Sequence, residues 1–340
     1  MSTFDITDHT HRRLNILTGE WVLVSPHRSK RPWQGKTEEK AKAQGVSYDE
    51  KCFLCPGNER INGELNEKYE NIFIFQNDFG ALQQDVPSGS VKEDTLFVAE
   101  AEQGICRVVC FSPDHSQQLG NMSVDGIVQV VKAWKSQYKE LGDLEFINHV
   151  QIFENKGEIM GCSNPHPHGQ IWAQYSIPNE VAKEQDNQKA YFDKNQRSLL
   201  ADYVAKELEK GERIIYDNDH FVALVPFWAV WPFEAMIVSK RHIASITELT
   251  DAEEIGYADC LKTLAAKYDK LFDTPFPYSA GIHQAPTDGK LHPEWHLHMH
   301  FYPPLLRSAT VKKFMVGYEM MAGPQRDITA EGAAKLLREL

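Results

Sequence analysis

The sequence predicts an α+β fold made of two tandem halves, each a mainly antiparallel sheet with helices. Three observations predict it. At 340 residues with 42% hydrophobic content, the chain can bury one large core or two moderate ones, and its length favours about two domains. One ordered set of features (strand, strand, a turn ending in histidine, helix, alternating histidines) is written twice, at low identity between the copies. Each half closes on the alternation, His166-Pro167-His168 in the first and His296-Leu297-His298-Met299-His300 in the second.

In the first half, Ile72-Phe73-Ile74-Phe75 and Val108-Val109-Cys110-Phe111 are short runs of β-branched and aromatic residues and read as strands. Pro113-Asp114-His115 turns the chain, and a helix follows from Ser123 to about Leu141. A further strand near Phe146 to Phe153 leads toward His166. The second half repeats this order with strands at Phe221-Val222-Ala223-Leu224-Val225 and Met236-Ile237-Val238, then Lys240-Arg241-His242. Its helix opens at Thr250 with Glu253 three residues on, a capping box, and runs to about Phe272. Residues 180–210 are polar, helical in pattern and bridge the halves, and Thr329 to Leu340 is an amphipathic helix. Segment 34–50, rich in Lys and Gln without apolar rhythm, is a surface loop. The division falls at 1–178 and 179–340.

The most specific stretch is Gly161-Cys162-Ser163-Asn164-Pro165-His166-Pro167-His168-Gly169-Gln170-Ile171. Placed on a strand, His166 and His168 share a face at period two. The small-residue turn before them can aim backbone N–H groups at an anion, as a nest does. A neutral imidazole attacks phosphorus without a separate base, and roughly half or more of such side chains are deprotonated at pH 7. The stretch reads as a phosphate site containing a nucleophile, and the prolines on both sides of His166 stiffen it.

Cys52-Phe53-Leu54-Cys55-Pro56-Gly57 offers two thiolates at a spacing that grips one ion, which is half a site. His115 and His166, on polar turns, are candidates for the other half. A redox dithiol and buried structural cysteines are the competing readings, and Pro56-Gly57 opposes the helix start a redox dithiol uses. His283, His296, His298 and His300 form a second nitrogen-rich group, with acidic partners available from the bridging helix. Such a donor set suits iron or zinc, and histidines lining a polar strand face are the alternative. Six cysteines without a signal sequence favour free thiols and metal ligands, and no apolar run approaches the ~20 residues of a membrane span, so a cytoplasmic location is expected. The net charge of −12 weighs against nucleic acid as a partner. A small anionic substrate is compatible with local positive charge at Arg28-Ser29-Lys30-Arg31 and Lys312-Lys313.

On these motifs the chain resembles the galactose-1-phosphate uridylyltransferase family, the transferase branch of the histidine triad superfamily. The likeness runs from Trp21-Val22-Leu23-Val24-Ser25-Pro26-His27-Arg28 through Phe301-Tyr302-Pro303-Pro304-Leu305-Leu306-Arg307-Ser308 to Met315-Val316-Gly317-Tyr318-Glu319-Met320. Its most specific part is His166-Pro167-His168-Gly169-Gln170, where Gln170 stands in place of the third histidine of most of the superfamily. The resemblance implies two histidine-triad-like halves forming a half-barrel. It implies that His168 takes UMP from UDP-glucose as a covalent uridylyl-histidine and passes it to galactose 1-phosphate, in a ping-pong exchange. It further implies zinc on Cys52, Cys55, His115 and His166, and iron on Glu184, His283, His298 and His300. Arg28, Arg31, Asn77, Asp78, Asn155, Gly161, Cys162, Ser163 and Gln170 would surround the uridine diphosphate. Lys313, Phe314, Val316, Tyr318, Glu319 and Gln325 would receive the hexose and its phosphate. A homodimer, with sugar contacts crossing between subunits, is implied as well, and neither nucleic acid nor membrane is expected as a partner.

The leaving group departs as a phosphate monoester anion and the second attacker is already an anion, so a third histidine is dispensable. Gln170 is expected to donate a hydrogen bond to the phosphoryl oxygen instead. An adenylyl transferase or hydrolase of the same superfamily is the alternative enzyme. A noncatalytic zinc module is the alternative class, and it lacks a basic field and gives His168 no task.

Overall fold

The computed structural model describes residues 4–30 and 45–340. Arg31 and residues 34–44 of the expected surface loop lie outside the described residues, while 45–50 are irregular.

The chain opens with a hairpin, β1 (His11–Leu14) and β2 (Trp21–Val24). The first half then contributes β3 (Phe73–Gln76), an exposed hairpin of β4 (Ser90–Glu93) and β5 (Phe97–Glu100), and β6 (Gly104–Cys110). Helix α1 (Val124–Gly142) starts at Ser123, whose hydroxyl accepts from the Gly126 N–H, satisfying one of the unpaired first-turn amides. Strands β7 (His149–Lys156) and β8 (His168–Gln174) complete the half. β7 begins three residues later than the sequence pattern suggests. β8 begins at His168, so His166 lies in the preceding bend rather than on the strand. The reason is local: Pro165 and Pro167 have no N–H to give to a ladder.

The bridging segment is two helices, α2 (Asn179–Asn195) and α3 (Leu199–Lys210), where the sequence pattern suggests one stretch. Gln196 takes a positive φ of 55° that ends α2, and the Ser198 hydroxyl caps α3 by accepting from the Ala201 N–H. The second half follows with β9 (Ile214–Asp217), β10 (Phe221–Leu224), β11 (Ala235–Ser239), α4 (Asp251–Leu271), β12 (Tyr278–His283) and β13 (His298–Tyr302). The Thr250–Glu253 capping box forms as expected. Short pieces end the chain: β14 (Leu305–Ser308), β15 (Val311–Lys312), α5 (Tyr318–Met321), β16 (Gln325–Arg326) and α6 (Ala330–Arg338).

Nine strands form one open sheet in the order β3-β6-β8-β7-β12-β13-β11-β10-β9. The halves meet at an antiparallel β7–β12 seam, with Asn155 opposite Ser279 and Phe153 opposite Gly281. Read outward from the seam, β7, β8, β6 and β3 match β12, β13, β11 and β10, so the repetition in the sequence is a repetition in space. Burial alternates along β8, with Gly169, Ile171 and Ala173 buried and His168, Gln170 and Trp172 half-buried. The buried set packs with α1 and α4 in one core that includes Trp134, Ile152, Leu261 and Tyr268. On the opposite face, the second half is covered by α3 and the first hairpin: Leu17 and Val22 pack with Leu200, Val204, Leu224 and Met236. Residues early in the sequence thus rest on the second half. β16 pairs with β2, and Glu331 of α6 takes both Arg13, at 2.9 and 3.0 Å, and Arg213, at 2.7 Å.

Candidate active site

His168 opens β8 directly opposite Cys110 of β6. Its Nδ1 lies 2.7 Å from the His166 carbonyl oxygen. A carbonyl only accepts, so Nδ1 carries the hydrogen and Nε2 keeps its lone pair. Burial lowers the pKa of this ring, against the raising effect of that hydrogen bond, which favours the neutral form. Two residues on, the Gln170 Oε1 accepts from the Trp172 indole N–H at 3.2 Å, and Trp172 is braced edge-on by Phe153 at 5.7 Å. Indole N–H is a donor only, so it fixes the amide oxygen on its side and leaves the NH2 end to donate.

In the turn before His166, two amides of the expected nest are bonded within the turn itself. The Gly161 N–H is used by the Glu158 carbonyl at 2.9 Å and the Cys162 N–H by the Gly157 carbonyl at 3.3 Å. Gly161 sits at φ 79°, the left-handed conformation that suits glycine after a short helix. The Cys162 thiol, whose pKa burial raises, donates to the Asn164 carbonyl at 3.0 Å. The Asn164 side chain accepts from the His166 N–H at 3.0 Å and touches the Cys52 sulfur at 3.5 Å, linking the turn to the cysteine pair.

Cys52, Cys55, His115 and His166 are all buried, and their ligand atoms lie within 4.8 Å of one another. The Cys55 sulfur is 3.5 Å from His115 Nδ1 and 3.6 Å from His166 Nδ1. His166 donates from Nε2 to the Ser112 carbonyl at 2.9 Å, which presents Nδ1 toward the sulfurs. Burial pushes the Cys55 thiol up to about 11 and the His166 imidazole down to about 4. A neutral His166 imidazole beside a Cys55 thiol that needs a cation in order to ionise fits a zinc-type donor set.

Glu184, His283, His298 and His300 form the second group, again within 4.8 Å. Glu184 Oε2 is 2.9 Å from His283 Nδ1 and 3.3 Å from His298 Nε2, and Oε1 is 3.4 Å from His300 Nε2. The Nε2 atoms of His298 and His300 are buried without a hydrogen-bond partner among the described residues, so lone pairs converge on one point and fit an ion. The second half repeats the geometry of the first: His298 Nδ1 lies 2.7 Å from the His296 carbonyl, and His296 Nε2 lies 2.7 Å from the Ser239 carbonyl. His296, grouped with the ligands on sequence alone, stands outside them, its Nδ1 2.9 Å from the Ser198 hydroxyl.

The family description of the galactose-1-phosphate uridyl transferase N-terminal domain matches residues 2–178, and that of the C-terminal domain matches 184–340. A galactose-1-phosphate uridylyltransferase of Haemophilus influenzae is 53% identical over 337 residues, covering 99% of this chain and 96% of that one. The chain belongs to the galactose-1-phosphate uridylyltransferase family. A family member of Rattus norvegicus is 48% identical over 342 residues, covering 100% and 90%. A solved uridylyltransferase superposes with a TM-score of 0.76 at 28% identity, over 96% of this chain and 97% of that one. An ADP-glucose phosphorylase from Arabidopsis thaliana shares the fold, with a TM-score of 0.76 at 24% identity over 98% and 99%.

The other residues that resemblance to the uridylyltransferase family singles out fall into three places. Asn77 and Asp78 line a cleft of about 960 Å³ with Gln76, Phe79, Leu82 and Cys106. Asn155 accepts from the Ser279 hydroxyl at 2.7 Å across the seam, and Ser163 lies in the turn before His166. Arg28 is bonded to Asp327 at 3.0 Å, and Gln325 donates to the same carboxylate at 2.7 Å. Lys313 bonds to Glu319 and, at 2.9 Å, to the Gln325 carbonyl. Arg28 therefore sits with the residues assigned to the hexose phosphate. Phe314, Val316 and Tyr318 beside them are exposed. Sequence reasoning missed Trp172, which its spacing of two from Gln170 could have flagged. It also missed Tyr69, whose hydroxyl donates to the Leu54 carbonyl at 2.6 Å and lies 3.0 Å from His166 Nε2, and no sequence signal marks it.

Proposed function

We propose that this chain transfers UMP from UDP-glucose to galactose 1-phosphate by two displacements at His168. The observation that carries the reading is the 2.7 Å bond from His168 Nδ1 to the His166 carbonyl, which leaves Nε2 as the attacking nitrogen. In the first displacement, Nε2 forms a bond to the α-phosphorus of UDP-glucose, and the P–O bond to glucose 1-phosphate breaks with its electron pair on the departing anion. In the second, a phosphate oxygen of galactose 1-phosphate bonds to that phosphorus, and the P–N pair returns to the ring. The Nδ1 proton stays in place throughout, so neither step needs a general acid or base.

The Gln170 NH2 group donates to the phosphoryl oxygen on which charge develops. Arg31, Asn77, Asp78, Asn155, Gly161, Cys162 and Ser163 hold the uridine diphosphate, Lys313, Phe314, Val316, Tyr318, Glu319 and Gln325 hold the hexose phosphate, and Arg28, which shares Asp327 with Gln325, reaches the diphosphate from the hexose-phosphate side. The exposed Phe314, Val316 and Tyr318 support a homodimer in which this segment serves the partner's site. Zinc on Cys52, Cys55, His115 and His166, and iron on Glu184, His283, His298 and His300, complete the protein. With four protein ligands each, such ions supply cross-linking rather than a reactive water position. No helix among the described residues is long and apolar enough to cross a membrane.

The test is intact mass. Protein mixed with UDP-glucose gains one uridylyl group, loses it on addition of galactose 1-phosphate, and gains nothing from ADP-glucose. His168→Gly stays folded with zinc bound and gains none. An adduct on another residue, or one that galactose 1-phosphate does not discharge, overturns the reading.

A further inference from the structure

We propose that Gln188 is a positioning residue for the ion held by Glu184, His283, His298 and His300, accepting from His300 Nδ1 through one ordered water. This rests on the reading of that cluster as a metal site. Val181, Glu184 and Gln188 form the buried face of α2. Along that helix, Val181 packs with Ala285 and Trp295, Glu184 meets the three histidines, and Tyr191 packs on the cluster containing Leu17 and Met236. Met236 lies directly opposite His300 in the β11–β13 ladder. Gln188 lies on the same buried face one turn, about 6 Å, beyond Glu184, between it and Tyr191, which packs on the cluster that holds the strand partner of His300.

Gln188 is wholly buried, and neither end of its carboxamide has a partner among the described residues. His300 Nδ1 is likewise buried and unpartnered, while its Nε2 faces Glu184. A ligating imidazole almost always donates its other N–H to an acceptor, which fixes the tautomer and the ring. His166 has the Ser112 carbonyl and His298 the His296 carbonyl for this purpose. Among the described residues His300 has no such carbonyl, and a carboxamide can accept from a water that in turn accepts from Nδ1.

The test uses full-length protein loaded with zinc alone, exposed to excess chelator, with retained zinc followed by elemental analysis. Glu184→Ala identifies which phase of loss belongs to the second group. Gln188→Leu is expected to speed that phase about 10- to 100-fold and to leave the phase of the cysteine cluster unchanged. Gln188→Met, which keeps the side-chain length without a strong acceptor, does the same and replaces it if Gln188→Leu does not fold. Gln188→Glu, which keeps an acceptor oxygen, stays near wild type. Retention within twofold of wild type in both apolar variants overturns the inference. Wild-type protein that holds no ion on the second group overturns it together with the reading beneath it.

Discussion

Gly169 lies between the two residues proposed to do the chemistry, and its backbone conformation is open to any residue. What it provides is room. A Cβ built there would stand 2.8 Å from Phe111 Cζ and 2.9 Å from the Phe153 carbonyl oxygen. Carbon atoms in contact sit about 3.5–4.0 Å apart, so the ring contact is short by about 0.7 Å. Phe111 cannot swing away, since it is 2% exposed and packed edge-on against Trp134 at 5.8 Å. The Phe153 backbone is held in the ladder opposite Gln170. In Gly169→Ala it is therefore β8 that yields, at an overpacking cost of about 1–3 kcal/mol, and the shift falls on His168 and Gln170. A misplacement of about 1 Å costs on the order of 100-fold in rate, so a smaller shift predicts a loss of about 10-fold or more in adduct formation. Gly104→Ala is the control. Its Cβ would lie 2.4 Å from the Ala173 carbonyl at the far end of the same strand pair, where Gly104 faces Gln174. It should lower the urea midpoint without slowing uridylylation. The assay is single-turnover mass gain from UDP-glucose beside urea unfolding. A Gly169→Ala rate within twofold of wild type, or equal slowing in Gly104→Ala, refutes the reasoning.

Gln170→His places a proton acceptor beside the uridylyl group, and hydrolysis of the adduct should rise relative to transfer; an unchanged partition between water and galactose 1-phosphate counts against the donor role of Gln170. Burial alone would raise the Glu331 carboxyl, but Arg13 and Arg213 outweigh it and hold its pKa at about 2 against an ordinary 4.5. A carboxylate depressed in the fold stabilises above its unfolded pKa, and that stability is lost as pH falls from about 4.5 to about 2, up to about 3 kcal/mol. Glu331→Gln should flatten unfolding free energy across that window, and an acid slope equal to that of wild type speaks against the assignment.

The two long helices of the shared core were legible because their starts are written in side chains, Ser123 for α1 and Thr250 with Glu253 for α4. The apolar strands were legible from their runs of β-branched and aromatic residues, as in Phe73–Gln76 and Phe221–Leu224. β12 was not, since Tyr278-Ser279-Ala280-Gly281-Ile282-His283 is a seam strand with three small residues at its centre, paired on both sides and without an apolar run. The break at Gln196 was hidden in a polar stretch, although Ser198 offered a cap. His115, His166 and the cysteine pair could be listed from the sequence, but the Ser112 carbonyl that turns His166 is backbone and leaves no mark in a sequence. Arg28 and Asp327 meet from opposite ends of the chain, so only the fold brings them together.

On the proposed reading, the two halves separate a nucleophile from a ligand on one frame. His168 and His298 open equivalent strands, and each gives its Nδ1 to the carbonyl two residues back at 2.7 Å. The tautomer is thus the same, and it cannot be what distinguishes their chemistry. The difference lies over Nε2. In the second half, α2 carries Glu184 to within 3.3 Å of His298 Nε2, and the position equivalent to Gln170 is His300, so donors converge and close the face. In the first half, His168 remains half-buried and the residue at that position is an amide whose oxygen is already tied to Trp172. On the proposed reading, the helix that follows β8 decides the outcome: by covering the second copy it turns a potential nucleophile into an anchor, and by leaving the first copy open it lets the same imidazole attack and be released.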